Sequence, residues 1–373
     1  MLQVNSMHLP FPAFASALSA IVVQTDNFVT ALTNLIRPND NVLLVTSSGF
    51  LKRGTVDTIR KNVVCKNLHL IDDVTPNPEL SYINSCYASC LTLEISVVVA
   101  VGGGSVMDTA KVLRRLLQYQ VDNVQVLFDK KDCRAKTPSL IVVPTTAGTG
   151  AEITPFATVW DSLAKKKYSV ENVQADKILL DPNITVALPK FDTMVTALDA
   201  LSHALESLWN VKRSTLSEKY AIVAIELICE NLPLVLSDVK NVNARAALQC
   251  AALFAGVAIS ETKTALAHAI SYPLTLQFNI PHGLACSFTL ASMLKIVGAK
   301  KLKLSQPLVD NILDLLSQLQ LSSEIREFAE LPALLNAVDR ELDPSRAGNF
   351  TKRVTPGLVQ LIIEESMCGI VNH

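Results

Sequence analysis

The chain has 373 residues, of which 49% are hydrophobic and 18% are charged, and its formal net charge is −1. This composition excludes a disordered protein, and the length allows two domains with separate cores. The near-neutral charge, without a basic run, argues against nucleic acid as the main partner, because phosphate binding needs a basic excess. We therefore expect a globular protein with two domains.

The cysteines and the N-terminus bear on the cellular compartment. The eight cysteines are scattered and form no C-x-x-C pair, which favours a reducing cytoplasm over a disulfide framework. Residues 1–18 contain Pro10 and Pro12, lack a basic region and fall short of a membrane span. We interpret them as an atypical N-terminal extension, and we expect a cytoplasmic protein that does not bind membranes. A secretory signal is the weaker alternative, since Ser16 to Ala20 resemble a cleavage site.

Short apolar runs alternate with helix-length segments in the first half of the chain. Four of these runs predict strands, at residues 41–46, 68–72, 96–101 and 139–143. They are rich in Val, Ile and Leu without polar alternation, which is typical of strands that are buried on both faces of a parallel sheet. Their spacing predicts βαβ units.

The pattern changes at about Phe191, shortly after Pro182 and Pro189. Residues 193–209, 214–232 and 244–259 carry apolar positions at three- and four-residue spacing, which predicts helices. No convincing strand-like run interrupts them. We therefore predict an α/β domain with a parallel sheet at residues 1–190 and an all-α domain at residues 191–373.

A glycine-rich turn follows the third predicted strand, at Gly102, Gly103, Gly104 and Ser105. Glycines allow an anion to approach the backbone, and the next helix offers free N–H groups and its positive dipole end to a pyrophosphate. A tight strand–helix turn is the structural alternative, because the motif is not G-x-G-x-x-G. Ser105 and Asp108 also fit a capping box, in which Asp108 only holds the helix start.

A second turn, rich in Gly and Thr, spans residues 144–152 and also follows a buried strand. Two such turns at strand ends, about forty residues apart, could line one nucleotide from both sides. Together they favour a dinucleotide-binding domain over a merely structural turn.

A candidate metal site lies in the helical half. Asp199 and His203 are four residues apart and share one helix face, and His268 and His282 follow farther along the chain. One Asp and three His suit a divalent transition metal such as Fe²⁺ or Zn²⁺. Each histidine alone is more often a buried, hydrogen-bonded core residue. Asp199, in an apolar stretch, would be costly without a charged partner, which a metal supplies.

These blocks resemble the iron-containing (group III) alcohol dehydrogenases from about Ile21 to the C-terminus. The matching segments are VGGGSVMDTAK, VPTTAGTGAE, LLDP, TALDALSHALES and the block from His268 to Gly283. The resemblance implies a homodimer, a metal bound by Asp199, His203, His268 and His282, and a nicotinamide cofactor. With our own assignments added, the candidate cofactor-binding residues are Ser47, Gly102, Gly103, Gly104, Ser105, Asp108, Thr145, Thr146 and Lys167.

The reaction that the resemblance implies is hydride transfer between NAD(P)H and a carbonyl, with the metal as Lewis acid. The family's second histidine of a His-x-x-x-His pair is Tyr272 here, which puts a histidine proton relay in doubt. Tyr272 or water would then deliver the proton. At the first strand end, NAD-preferring members commonly carry an Asp near Ser47. With Ser47 neutral and with Lys52 and Arg53 nearby, NADPH is expected to be tolerated or even preferred. The alternative is that both cations are merely solvated at the surface.

The finer resemblance is to the phosphonoacetaldehyde reductases, which form 2-hydroxyethylphosphonate in phosphonate biosynthesis. A phosphonate needs a cationic, hydroxyl-rich pocket, and Lys263, beside Thr262 and Thr264, is the candidate cation. An exposed helix charge is the equal alternative for Lys263. The rival functions are a general alcohol dehydrogenase acting on short neutral aldehydes, a relative with another reaction on the same fold, and a non-catalytic metal or nucleotide sensor.

Overall fold

A computed structural model describes residues 20–128, 137–164 and 166–368 of the chain. The chain divides into two compact units, of which unit 1 comprises Met1–Thr146 and Ala151–Thr185 and unit 2 comprises Ala147–Gly150 and Val186–His373. The N-terminal extension predicted at residues 1–18 lies outside the described residues. The domain boundary near residue 190 stays a prediction.

Unit 1 is an α/β unit. Its strands are β1 Ile21–Gln24, β2 Asn41–Val45, β3 Asn67–Ile71, β4 Val97–Gly102, β5 Ser139–Pro144, β6 Phe156–Asp161, β7 Lys166–Glu171 and β8 Lys177–Leu180. Its helices are α1 Phe28–Leu35, α2 Ser48–Lys52, α3 Thr55–Asn62, α4 Leu80–Cys90 and α5 Gly104–Tyr119. Two 3₁₀ turns lie at Val124–Phe128 and Pro182–Thr185.

A parallel sheet of six strands forms the core of unit 1, in the order β1-β8-β5-β4-β2-β3. The four predicted strands are β2 to β5, and β4 and β5 are almost entirely buried, as strands with helices on both faces must be. The expected fold class is therefore confirmed. The sequence reading missed β1 and β8, which have four residues each, and the antiparallel hairpin of β6 and β7.

The strand order fixes where a ligand can reach the sheet edge. From β2 the chain moves outward to β3, whereas from β4 it moves the other way to β5 and then β8. The connections after β2 and β4 therefore diverge, and a crevice opens outside the carboxyl ends of these two strands. Ser47 follows β2 and Gly103 follows β4, so both lie at this switch point.

Unit 2 is helical within its described residues. Its helices are α6 Lys190–Leu208, α7 Thr215–Ser237, α8 Val242–Thr262, α9 Leu266–Phe278, α10 His282–Ser287, α11 Leu290–Val297, α12 Ala299–Leu302, α13 Gln306–Gln318, α14 Leu321–Arg326, α15 Leu331–Glu341, α16 Pro344–Ala347 and α17 Pro356–Cys368. The three helices predicted from periodicity are α6, α7 and α8. A capping box at Ser214 begins α7, and the Asn241 side chain accepts the amide of Ala244 at the start of α8.

Two helices of unit 2, α7 and α8, are long and apolar enough to cross a membrane by length and composition alone. In α8, 89% of the most apolar window is buried inside the protein, as in the core helix of a globular fold. In α7 the share is 39%. The seven cysteines among the described residues are free thiols.

Candidate functional site

Helix α6 places three functional side chains on one face. Asp199 and His203 are one turn apart, and Glu206 follows after three more residues, so all three point the same way. Their side chains are buried, at 6% exposure for Asp199, 7% for His203 and 0% for Glu206. Buried charge of this kind requires partners.

The carboxylate of Asp199 lies at the centre of three imidazoles. Its Oδ1 is 3.7 Å from His203 Nε2, 3.6 Å from His268 Nε2 and 3.9 Å from His282 Nε2. Metal–ligand bonds of about 2.0–2.2 Å put the donors of a single ion roughly 3–4 Å apart. The structure thus brings together all four residues that the sequence proposed as ligands.

The hydrogen bonding of the cluster fits a cation. Among the described residues, Asp199 Oδ1 and His268 Nε2 are buried and have no hydrogen-bond partner. Buried polar atoms are normally paired, since an unpaired one costs about 1–3 kcal/mol. A divalent ion between these two atoms would satisfy both, and Asp with His is a donor set that Fe²⁺ and Zn²⁺ accept.

Glu206 orients one of the imidazoles, and the sequence reading missed it. Its Oε2 lies 2.6 Å from His268 Nδ1, and its Oε1 accepts the backbone N–H of His268 at 3.2 Å. A carboxylate on Nδ1 holds the proton there and turns the Nε2 lone pair toward a metal. The sequence signal that could have identified Glu206 is its position, because it lies three residues after His203 on the same face of α6.

Gly283 explains how His282 reaches the cluster. A Cβ on Gly283 would lie 2.0 Å from the carbonyl oxygen of Val195, so only glycine lets α10 approach α6 this closely. His282 is the first residue of α10, directly after Pro281. The Pro-His-Gly sequence therefore sets the position of His282 beside Asp199.

The electrostatics of the cluster depend on burial and on neighbouring charge. Burial raises the pKa of Asp199, but the three histidines outweigh it and hold that pKa well below the usual range. Burial lowers the pKa of His203 to about 4, so this imidazole is neutral near pH 7, as a metal ligand must be. For His268, burial is outweighed by Cys286 and Glu206, which raise its pKa well above the usual value.

Tyr272 and Arg346 extend the site from its exposed side. The His282 side chain is 36% exposed, far more than those of Asp199 and His268. The Tyr272 ring stacks on His282 with centroids 5.7 Å apart and planes 2° apart. The guanidinium of Arg346 lies 4.8 Å from the Tyr272 ring centre, so a cation stands over this ring stack.

Arg346 was missed because α16 has four residues and carries no motif. Its Nε lies 3.3 Å from Asp343 Oδ2, and one terminal nitrogen donates to the hydroxyl of Thr264. A guanidinium has five N–H donors, so these contacts leave capacity for an oxyanion.

Lys263 occupies a special backbone conformation at the end of α8. Its φ of 64° and ψ of 171° belong to a region that only glycine adopts easily. Its carbonyl oxygen accepts hydrogen bonds from Asn210 Nδ2 and from the Thr262 hydroxyl, both at 3.1 Å, which hold this geometry. The backbone of Lys263 thereby directs Thr264 toward Arg346.

The glycine turn of unit 1 is partly a packing requirement. A Cβ on Gly102 would lie 2.5 Å from Val106 Cβ, so glycine permits the tight passage from β4 into α5. Gly103 is the N-cap of α5, with Gly104 and Ser105 in the first turn. The 16-residue helix therefore presents its N-terminus at the sheet edge, where an anion is favoured.

The second turn lies beside the first, and its threonines and its later glycines have different roles. Thr145 donates its amide to the Gly102 carbonyl at 3.1 Å, and the Thr146 hydroxyl lies next to Gly103. The later glycines serve packing in unit 2, where a Cβ on Gly148 would lie 2.6 Å from the Thr196 carbonyl oxygen. The later glycines therefore have a packing role, and cofactor contact by Thr145 and Thr146 stays a prediction.

The predicted capping box of Ser105 and Asp108 is wrong. The N-cap of α5 is Gly103, with no side-chain cap, and Ser105 Oγ accepts the amide of Asn77 at 3.2 Å. Asp108 Oδ2 accepts the amide of Thr158 at 2.9 Å and so ties α5 to β6. Burial raises the pKa of Asp108.

Two further predicted cofactor contacts lie in unit 1. Ser47 is the N-cap residue of α2 and makes no side-chain cap hydrogen bond. Lys167 lies in β7 with its Nζ 5.2 Å from the Trp160 ring centre. Arg53 is the cation near Ser47 that we related to the choice between NADH and NADPH. Its Cζ lies 4.3 Å from the centre of the Phe50 ring.

Comparison with protein families decides the relationship. Residues 19–182 match the iron-containing alcohol dehydrogenase family, and residues 193–336 match the C-terminal domain of the Fe-containing alcohol dehydrogenase family. The chain belongs to this family. The expectation of an iron-type metal centre and a nicotinamide cofactor agrees with this membership and with the donor cluster described above.

The relatives include the phosphonoacetaldehyde reductase of Streptomyces viridochromogenes, 37% identical over 211 residues, which are 54% of this chain and 53% of that protein. The match therefore spans about half the length of that relative. An iron-containing alcohol dehydrogenase from Thermotoga maritima has a TM-score of 0.77 at 26% identity, covering 94% of this chain and 98% of that one. The sulfoacetaldehyde reductase of Bifidobacterium kashiwanohense, solved with NAD⁺, has a TM-score of 0.80 at 23% identity, with coverage of 94% and 97%, and shows the shared fold.

Proposed function

We propose that this protein is a metal-dependent, nicotinamide-linked reductase that converts a small aldehyde into an alcohol. The observation that carries the proposal is the buried Asp199 Oδ1, unpaired among the described residues and within 3.9 Å of three imidazole nitrogens. Membership of a family of alcohol dehydrogenases supports it. A non-catalytic sensor has no comparable support. All four proposed ligand positions carry metal-binding residues, so none of them indicates a loss of activity.

In this proposal Asp199, His203, His268 and His282 hold the ion, which we expect to be Fe²⁺ or alternatively Zn²⁺. The bound ion would polarise the substrate carbonyl as hydride arrives. Glu206 keeps the His268 ring in position, and the burial of Asp199, His203 and His268 limits the access of water to them. NAD(P)H would place its pyrophosphate at the N-terminus of α5, beside Gly103, Gly104 and Thr146.

Tyr272 is our candidate for delivering the proton to the product oxygen. It is one helical turn after His268, and its ring stacks on His282 at the exposed side of the cluster. In the Tyr272→Phe variant, the pH–rate profile of aldehyde reduction should lose one ionisation. An unchanged profile would instead assign this proton transfer to water.

For the substrate we propose phosphonoacetaldehyde. The relative at 37% identity carries that name, and the site offers a cation where such a substrate would need one. We proposed Lys263 from the sequence, but the contacts favour Arg346, whose guanidinium stands over the Tyr272 ring and bonds to Thr264. Planar guanidinium groups bind phosphonate oxygens through two parallel hydrogen bonds.

The test compares phosphonoacetaldehyde with propanal and lactaldehyde, using the Fe²⁺-loaded protein and NADH or NADPH. We expect the highest kcat/KM for phosphonoacetaldehyde. The Arg346→Ala variant should lose roughly 10–100-fold on phosphonoacetaldehyde, because a charge-assisted hydrogen bond contributes about 1.5–3 kcal/mol, and little on propanal. The Lys263→Ala variant is the matched control, with a smaller loss expected.

Faster turnover of propanal than of phosphonoacetaldehyde would favour the general alcohol dehydrogenase. That candidate has its own support in the 1-propanol dehydrogenase of Salmonella typhimurium, which is 29% identical over 269 residues. If Arg346→Ala lost activity equally on both substrates, the proposed anion pocket would be wrong, whereas the proposed reductase activity would stand. A cytoplasmic location and a homodimer belong to the same proposal.

A further inference from the structure

Cys286 lies inside the donor cluster, although no motif led to it. It is buried, and it follows His282 by one turn of α10. Its Sγ is 3.8 Å from Nδ1 and 3.7 Å from Nε2 of His282. One donor atom each from Asp199, His268, His282 and Cys286 lies within 4.8 Å of all the others.

The position of the sulfur distinguishes a donor from a packing residue. A free cysteine in a core behaves as a small apolar side chain and needs no polar neighbours. Here Sγ is almost equidistant from both ring nitrogens of His282, so it is not aligned with a single nitrogen lone pair. It faces the same space as Asp199 Oδ1 and His268 Nε2, which are buried and have no hydrogen-bond partner among the described residues.

We propose that Cys286 supplies a thiolate donor to the metal ion, in addition to the Asp and His ligands. On binding, the thiol loses its proton to solvent and the sulfur forms a bond to the ion. Thiolate is a soft ligand that favours Zn²⁺ over harder ions such as Fe²⁺. This chain should therefore prefer Zn²⁺ more strongly than a site of oxygen and nitrogen donors alone. The inference rests on the proposed metal centre.

The test uses Co²⁺ as a spectroscopic probe, added to the metal-free full-length protein without oxygen. Co²⁺ bound at the cluster gives ligand-field bands in the visible range, and a cobalt–thiolate bond adds a charge-transfer band in the near ultraviolet. We expect both bands in the wild-type protein. Cys286→Ser and Cys286→Ala should keep the visible bands and lose the ultraviolet band. The control is Cys229→Ala in α7, which should keep both.

A second readout is competition between Zn²⁺ and Fe²⁺ for the metal-free protein. Replacing Cys286 by Ser should lower the ratio of Zn²⁺ to Fe²⁺ affinity at least about tenfold, which corresponds to 1.4 kcal/mol. Two results would contradict coordination by the Cys286 thiolate while the proposed metal centre stands. One is visible bands without the ultraviolet band in the wild type, and the other is an unchanged ultraviolet band in both Cys286 variants. Absence of all Co²⁺ bands in wild type would overturn both.

Discussion

Buried ionisable side chains differ between the two units in whether they have hydrogen-bond partners. In unit 1, Lys111 is fully buried and donates to the Thr154 carbonyl at 2.9 Å, the Thr154 hydroxyl at 3.2 Å and the Phe156 carbonyl at 2.9 Å. In unit 2, Asp199 Oδ1 and His268 Nε2 are equally buried but have no hydrogen-bond partner among the described residues. The difference separates residues that stabilise the fold from residues for which we propose a metal ion as the partner.

This comparison changes the meaning of the glycine-turn motif. Lys111 and Asp108 belong to the VGGGSVMDTAK segment, yet their side chains bind the chain around β6. Burial lowers the pKa of Lys111 to about 8, and neighbouring Asp108 and Glu152 oppose that shift. Within this motif, cofactor binding therefore stays a prediction for the backbone of Gly103, Gly104 and Ser105.

The largest stability effect should come from Lys111→Met. The change removes the three hydrogen bonds that Nζ donates to Thr154 and Phe156, and it removes a buried cation beside Asp108 and Glu152. The free energy of unfolding should therefore fall by about 3–5 kcal/mol. Urea denaturation of the metal-free protein measures this. The control is Lys166→Met at an exposed position of β7, which should change the free energy by less than about 0.5 kcal/mol. A similar small loss for both variants would contradict a structural role for Lys111.

Glu206→Gln should have an intermediate effect, on metal affinity. The amide can still occupy the space beside His268 Nδ1, but it lacks the negative charge that fixes the ring. We expect affinity for Zn²⁺ to fall roughly 10–100-fold, as for other residues that orient a metal ligand. The exposed Glu226→Gln on α7 serves as control in the same calorimetric titration. Equal affinities in the two variants would show that Glu206 only fills space.

The smallest effect should come from Ser47→Asp, at the switch point between β2 and β4. A carboxylate there would bind the ribose 2′-hydroxyl of NADH and repel the 2′-phosphate of NADPH. The ratio of kcat/KM for NADPH to that for NADH should fall about tenfold, or 1.4 kcal/mol. Thr58→Asp on α3 adds the same charge away from the strand end and should leave the ratio unchanged. No change in Ser47→Asp would place the ribose elsewhere.

The sequence predicted the features that repeat along the chain. Continuous apolar runs predicted β2 to β5, and the three- and four-residue apolar spacing predicted α6 to α8, because those patterns report burial directly. The hairpin of β6 and β7 was missed since its strands are only half buried. The Ser105–Asp108 capping box failed because Gly103 already begins the helix.

For the site, four donors could be proposed from residue type and motif, whereas their partners could not. Glu206 meets His268 across 62 residues of sequence, and Arg346 meets Thr264 across 82. Such pairs depend on how helices pack, which local spacing does not encode. Cys286 carried a usable signal, because it lies one helical turn after His282.

The most direct test of the account is the metal content of Asp199→Ala against Asp192→Ala. Both residues lie on α6, but Asp192 is exposed in its first turn and far from the cluster along the helix. After loading with Fe²⁺ or Zn²⁺ and dialysis, we expect one ion per chain and aldehyde reduction in the wild type and in Asp192→Ala, and neither in Asp199→Ala. A full complement of metal retained by Asp199→Ala would contradict the assignment of the buried cluster as the metal centre.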